Sequence, residues 1–276
     1  MQSYSREASK FLLCFSVLIT FFSSVSAAEF SNDCPAATQP DVGCWIFLRG
    51  PIVEGDSDRL LRALKSKPKR GDIFRSLVLE SPGGDVAEAL KLVRLVRDAL
   101  LETRNVTVFE TSKATAYTCA SSCVLVLMAG VERLFSPING GRLGLHRPSF
   151  STETYSGKLA SSDLAELQHQ AMRNVREFLL SEGMQQRLIE EMMNRSSREI
   201  YWVDFFKDWL EVRRSAAWFD ELRISRCKFD PTAEGKAVKA MVDGDKLNAV
   251  KAQGEALLSA PCVRALISEA QAKLRR

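Results

Sequence analysis

The chain has 276 residues, 46% of them hydrophobic, and its 38 basic and 34 acidic side chains leave a formal net charge of +4. That apolar share is ample for a core, and the length suits one large α/β domain with an appendage. The charges are interspersed, which excludes the clustered basic face that a nucleic-acid partner needs.

Residues 1–28 read as an export signal. Arg6 and Lys10 precede the apolar run Phe11 to Phe22, and small residues follow, ending Val25-Ser26-Ala27-Ala28. The run is about a dozen residues, short of the ~20 that a spanning helix needs. The expectation is cleavage near Ala27 or Ala28 and a mature protein that is periplasmic or secreted. Beyond Cys14 the chain keeps Cys34, Cys44, Cys119, Cys123, Cys227 and Cys262, an even set for an oxidising compartment. Spacing alone leaves the connectivity open. Cys34 with Cys44 would close a short N-terminal loop, and Cys227 with Cys262 would tie a C-terminal helical segment to the core. The remaining pair, Cys119 with Cys123, requires Cys119 to lie before its helix begins.

Trp45 to Leu48 reads as a strand that turns through Gly50 to Asp56 into a helix carrying Leu60, Leu61 and Leu64. Ser76 to Leu79 is the next strand, Val86 to Leu101 an amphipathic helix, and Val106 to Phe109 a further strand. Val124 to Met128 is apolar all round, as a buried helix should be. Arg142 to Leu145 returns as a strand. This alternation predicts parallel strands with functional groups at their C-terminal ends. Phe150 to Ser162 reads as a polar loop, and Leu164 to Leu180 as an amphipathic helix that Gly183 ends. A helix over Gln185 to Met193 and a strand over Ile200 to Val203 follow. Trp209 to Ile224 shows no clear period, and Lys236 to Leu274 reads as helical. The expected domains are the signal over 1–28, an α/β domain over 29–226 and a helical extension over 227–276.

Three short segments carry chemistry. Ser81-Pro82-Gly83-Gly84 follows a strand, and its glycines permit a tight turn that exposes backbone N–H groups. Cys119-Ala120-Ser121-Ser122-Cys123 sets a hydroxyl at the start of the apolar helix. Leu145-His146-Arg147-Pro148 places an imidazole at a strand end. Acyl transfer needs those parts: an oxyanion hole from the Gly84 and Ser122 N–H groups, a nucleophile in Ser121, and a general base in His146. Taken singly, each has a plainer reading. The first is an ordinary turn, Ser121 an N-cap, and His146 a structural histidine. Ser122 is the second candidate nucleophile. The other histidine, His169, lies in an amphipathic helix and should face solvent.

From about Ile46 to Val203 the chain resembles the ClpP and crotonase superfamily, in its ClpP-like serine peptidase branch. The resemblance rests on Phe47-Leu48-Arg49-Gly50-Pro51-Ile52, Ser81-Pro82-Gly83-Gly84, Ala120-Ser121 through Met128-Ala129-Gly130, and His146-Arg147-Pro148, with matching spacing from Ser121 to His146. It implies an α/β fold of repeated ββα units with a parallel sheet, here followed by the helical extension. The implied activity is that of an exported, ATP-independent serine endopeptidase acting on peptides or unfolded protein. No cofactor and no ATPase partner are expected, and a homo-oligomer is. The resemblance would put the triad's acidic residue near Asn194 to Ser197, where the sequence is Asn194-Arg195-Ser196-Ser197. Asn194 becomes the candidate orienting residue, with Glu191 and Glu199 as alternatives. The segment between the Gly-Gly turn and Ser121 is several residues longer than the ClpP pattern.

Other readings compete. A non-catalytic scaffold or binding protein of the periplasm that keeps the fold would also lack the carboxylate. A lysine base would fall to Lys113, leaving His146 unexplained. Cys119 and Cys123 as a redox pair is a third class. Asn105-Val106-Thr107 matches a glycosylation pattern beside an expected strand.

Overall fold

The computed structural model describes residues 27–34, 43–66, 68, 73–105, 117–135, 141–148, 161–196, 198–204, 208, 212, 215–230, 232 and 260–276. The elements, in chain order, are β1 (Glu29–Asp33), β2 (Cys44–Arg49), α1 (Asp56–Lys65), β3 (Phe74–Glu80), α2 (Val86–Asp98), β4 (Glu102–Asn105), β5 (Tyr117–Ala120), α3 (Ser122–Met128), β6 (Arg133–Phe135), β7 (Gly141–Leu145), α4 (Ser161–Ser181), α5 (Gln186–Asn194), β8 (Tyr201–Trp202), α6 (Ala217–Cys227) and α7 (Ala260–Arg275).

This is a mixed α/β fold with two sheets. The larger has the order β1-β2-β3-β4-β6 and the smaller β5-β7-β8. The expected parallel pairing holds for β2 with β3, β3 with β4, β4 with β6 and β5 with β7. Both antiparallel pairings involve edge strands, β1 against β2 and β8 against β7. Two central strands of the larger sheet, β2 and β3, carry apolar runs because both faces are covered, whereas β4 is polar. Ile46 and Leu48 of β2 and Leu77 and Leu79 of β3 are fully buried.

α1 buries Leu60 and Leu64, and α2 buries Ala89, Leu92, Val93 and Val96 at helical spacing. Asp85 caps α2 by accepting the Glu88 N–H at 2.8 Å. Every residue of α3 is buried, as its uniformly apolar sequence requires. Gly183 ends α4 in a left-handed turn (φ +83°), donating its N–H to the Leu180 carbonyl while Met184 donates to Leu179.

The C-terminal helix docks through one buried side chain. Gln271 accepts the Phe74 N–H at 2.9 Å and donates to the Phe74 and Ala99 carbonyls, completing the open edge at the start of β3.

Three departures from the sequence reading have local causes. β1, β5 and β6 are short strands whose residues alternate too weakly to signal themselves. Ser161 and Ser162 lie in the first turn of α4 instead of a loop. The described strand after α2 is Glu102–Asn105, whereas the expected strand over Val106 to Phe109 lies outside the described residues, as do the signal segment up to Ser26, Lys113 and residues 233–259. Asn105 is fully buried and donates its side-chain amide to the Leu79 carbonyl at 3.0 Å, which makes it a strand-end bond and not a glycosylation acceptor.

Candidate active site

The glycine turn and the Ser121 elbow meet at the C-terminal ends of the strands, with the strand that delivers His146 beside them; Ser121 and His146 are not hydrogen-bonded to each other. After β2, Ile52 pairs with Gly84; after β3, Ser81 pairs with Cys119 of β5; and Ala120 at the end of β5 lies opposite Gly144 of β7. Each strand end thus leans on the next. Ser81 donates its N–H to Thr118 and accepts that of Ala120, which joins the two sheets beside the site.

Ser121 follows β5 directly and occupies the N-cap position of α3, but its hydroxyl caps no N–H of the helix. Its backbone sits at φ +56°, ψ −130°. A side chain is strained there, at a cost of about 1–3 kcal/mol that surrounding contacts must over-determine. Two hydrogen bonds hold it: its N–H donates to Gly144 at 3.0 Å, and its carbonyl accepts from Val124 at 3.0 Å. The plain N-cap reading therefore does not describe this serine, since a capping residue has ordinary extended backbone and a bonded side chain.

The glycine turn packs against this elbow. A Cβ on Gly83 would stand 2.5 Å from the Ser121 Cβ and 2.9 Å from the Ser122 N, and a Cβ on Gly84 would run into the Ile52 carbonyl. Both glycines have positive φ, at +92° and +147°. Ile52 donates its N–H to Gly83 and accepts that of Asp85, so the polar groups of Gly84 itself face away from Ile52. The Gly84 carbonyl accepts the Ser122 hydroxyl at 3.2 Å. Ser122 is thereby committed to clasping the turn. Among the described residues, neither the Gly84 N–H nor the Ser122 N–H has a backbone acceptor.

His146 leaves β7 two residues beyond Gly144, on the strand next to the one that delivers Ser121. It is half-exposed, and its Nδ1 lies 3.0 Å from the Arg147 carbonyl. A carbonyl only accepts, so Nδ1 is the donor, and in the neutral ring Nε2 carries the lone pair. Asn194 is exposed at the C-terminal end of α5 and makes no hydrogen bond to His146. Glu191 pairs with Arg195 at 3.1 Å, and Glu199 accepts the Ser196 N–H at 3.5 Å. No carboxylate among the described residues reaches the imidazole. His169 is exposed.

β8 borders the site on the far side of β7. Ile200 and Trp202 close over Gly144, where a Cβ would lie 2.8 and 2.9 Å from them, and the Arg142 guanidinium stacks on the Trp202 ring at 4.0 Å. Between them Tyr201 donates its hydroxyl to buried Asp208 at 2.7 Å, which also accepts the Asp204 N–H at 2.9 Å and pairs with Arg187 of α5. Burial pushes the Asp208 carboxyl up, but these three donors outweigh it and hold it below the usual carboxylate range. Burial and the hydrogen bond to that carboxylate raise the Tyr201 phenol. The sequence reading missed this anchor because Asp208 and Arg187 lie 21 residues apart, with no motif linking them.

The six cysteines among the described residues pair: Cys34–Cys44, Cys119–Cys123 and Cys227–Cys262. Cys119 ends up in β5, ahead of the helix. Three disulfides befit an oxidising, extracellular or periplasmic environment. Among the described residues no helix is long and apolar enough to cross a membrane, and no three His, Cys, Asp or Glu side chains gather to hold a metal ion. Compared with known proteins, the chain matches no family model and no curated relative.

Proposed function

We propose that the protein is an exported serine hydrolase of the ClpP-like type, most simply an ATP-independent endopeptidase. The carrying observation is Ser121, which is held in a strained strand-to-helix elbow with its hydroxyl unused as a cap, beside the Gly83-Gly84 turn and one strand away from His146. In this reading Ser121 Oγ attacks the scissile carbonyl and its proton passes to His146 Nε2. The Gly84 and Ser122 N–H groups take the oxyanion. Collapse of the intermediate breaks the C–N bond, the leaving amine takes the proton from Nε2, and water releases the acyl group by the same route.

The Arg147 carbonyl fills the orienting place that the family resemblance assigns to Asn194. It fixes the imidazole tautomer, yet stabilises imidazolium less than a carboxylate would, so turnover is slow. The repeated ββα architecture, export by the N-terminal segment, a peptide or unfolded-protein substrate and self-association belong to the same proposal. That no carboxylate among the described residues reaches His146 equally supports the scaffold alternative, and the two readings part on one measurement.

That measurement is labelling of the mature protein with a fluorophosphonate probe, mapped by mass spectrometry. An adduct on Ser121 that disappears in Ser121→Ala and falls at least about a thousandfold in rate in His146→Ala supports the hydrolase. A folded protein without adduct supports the scaffold.

A further inference from the structure

The Cys119–Cys123 bridge does something the other two disulfides do not. Its cysteines are four positions apart, against ten for Cys34–Cys44 and 35 for Cys227–Cys262. A loop this short restrains the unfolded chain least, so as a general stabiliser it ranks last. Its placement is the distinctive property. Cys119 lies in β5, Cys123 in the first turn of α3, and Ser121 sits midway between them. Both cysteines are fully buried, and their Cα atoms are 5.3 Å apart. The bridge therefore crosses the core side of the elbow and ties its two arms together.

Among the described residues Ser121 has few other restraints. They are its two backbone hydrogen bonds, the Gly83 contact and the clasp of Ser122 on Gly84. A strained conformation persists only where its surroundings over-determine it, and the one covalent restraint spans this residue. We infer that the Cys119–Cys123 disulfide is a positioning device for the Ser121 nucleophile. It keeps the hydroxyl out of the capping arrangement to which an unrestrained serine before an apolar helix would relax. This inference rests on the hydrolase reading for its catalytic consequence. The geometric claim about the elbow is independent of it.

The test compares two double variants of the full chain well below their melting temperatures. They are Cys119→Ala/Cys123→Ala and, as the control, Cys227→Ala/Cys262→Ala. Fluorophosphonate kinetics are resolved into reversible binding and the bond-forming step, and hydrogen exchange is read at the Ser121 and Val124 amides. In the elbow variant the bond-forming rate should fall at least tenfold with reversible binding unchanged. Both amides should exchange at least tenfold faster, while the α2 amides stay protected. The control should keep the wild-type labelling rate despite lower stability. Wild-type labelling or wild-type protection of the elbow amides in a folded Cys119→Ala/Cys123→Ala protein overturns the inference. If the wild type itself takes no label, the hydrolase reading fails and the exchange data alone decide the clamp. If the alanine pair does not fold, Cys119→Val/Cys123→Val keeps the buried volume; failure of both pairs makes the bridge a folding element and overturns the positioning role.

Discussion

The two sheets share one buried core and differ in what is added to it. In the larger, β2 and β3 run side by side from Cys44 opposite Phe74 to Arg49 opposite Glu80, and their apolar side chains share one buried cluster with those of α1 and α2, against which Leu274 of α7 packs. Burial acts over many residues there, so no single contact decides the outcome. The smaller sheet has a four-residue β5 and a two-residue β8, and it carries both Ser121 and His146. Cys119, Leu143 and Leu145 bury it in the common core, and individual restraints are added: a disulfide across one turn, glycines at close approach, and Tyr201 anchored on Asp208. Nonspecific apolar burial can build a scaffold, but a strained nucleophile needs restraints aimed at particular atoms.

The comparison can be broken in four places. Leu77→Ala in the middle of β3 should cost about 2–5 kcal/mol by leaving a cavity, measured by denaturant unfolding, with labelling of Ser121 per folded molecule unchanged. A large loss of labelling at full folding would mean that the sheets are not independent in this sense. Gly84→Ala drives a methyl into the Ile52 carbonyl and should cost about 1–3 kcal/mol. Unlike Leu77→Ala, it should also slow labelling, because it displaces the exposed N–H.

Asp208 sharpens the contrast through pH. Its folded carboxyl lies below its unfolded value of about 3.9. Its contribution is therefore complete above about pH 4 and is lost as the pH falls through the folded value. Asp208→Asn should lose roughly 1–3 kcal/mol at neutral pH, and the gap to wild type should close on acidification below about pH 4. A gap that stays constant to acid would remove the linkage. The smallest effect has the most telling sign. Ser121→Gly should raise stability by about 1 kcal/mol while abolishing labelling, since glycine accepts φ +56° without strain. A fall in stability would show that Ser121 is not strained.

Much of the scaffold was legible because its signals are local. Leu60 and Leu64 at helical spacing, the apolar run of Ser76 to Leu79, Val93 and Val96 on the buried face of α2, and Gly183 at the end of α4 each report an environment that their near neighbours impose. The short strands β1, β5 and β6 were not legible, since three to five residues carry too little periodicity. At the site, Ser81-Pro82-Gly83-Gly84, Ser121 and His146 could be read from residue type and order. The Arg147 carbonyl could not, because every residue has one.

From the sequence alone came the α/β class, the order of the three chemical segments, the even set of six cysteines beyond Cys14 and the reason for two adjacent glycines. All depend on composition and on spacing within a few residues. Only the tertiary structure decided that Ser121 is strained and uncapped, that Ser122 is spent on Gly84, that the imidazole turns to Arg147 with Asn194 left in solvent, and that Asp208 holds β8. Apart from the imidazole, whose partner is the next residue, each of these depends on which group remote in sequence comes within hydrogen-bond reach of a given atom. That proximity is set by how the two sheets meet, and no local pattern encodes it.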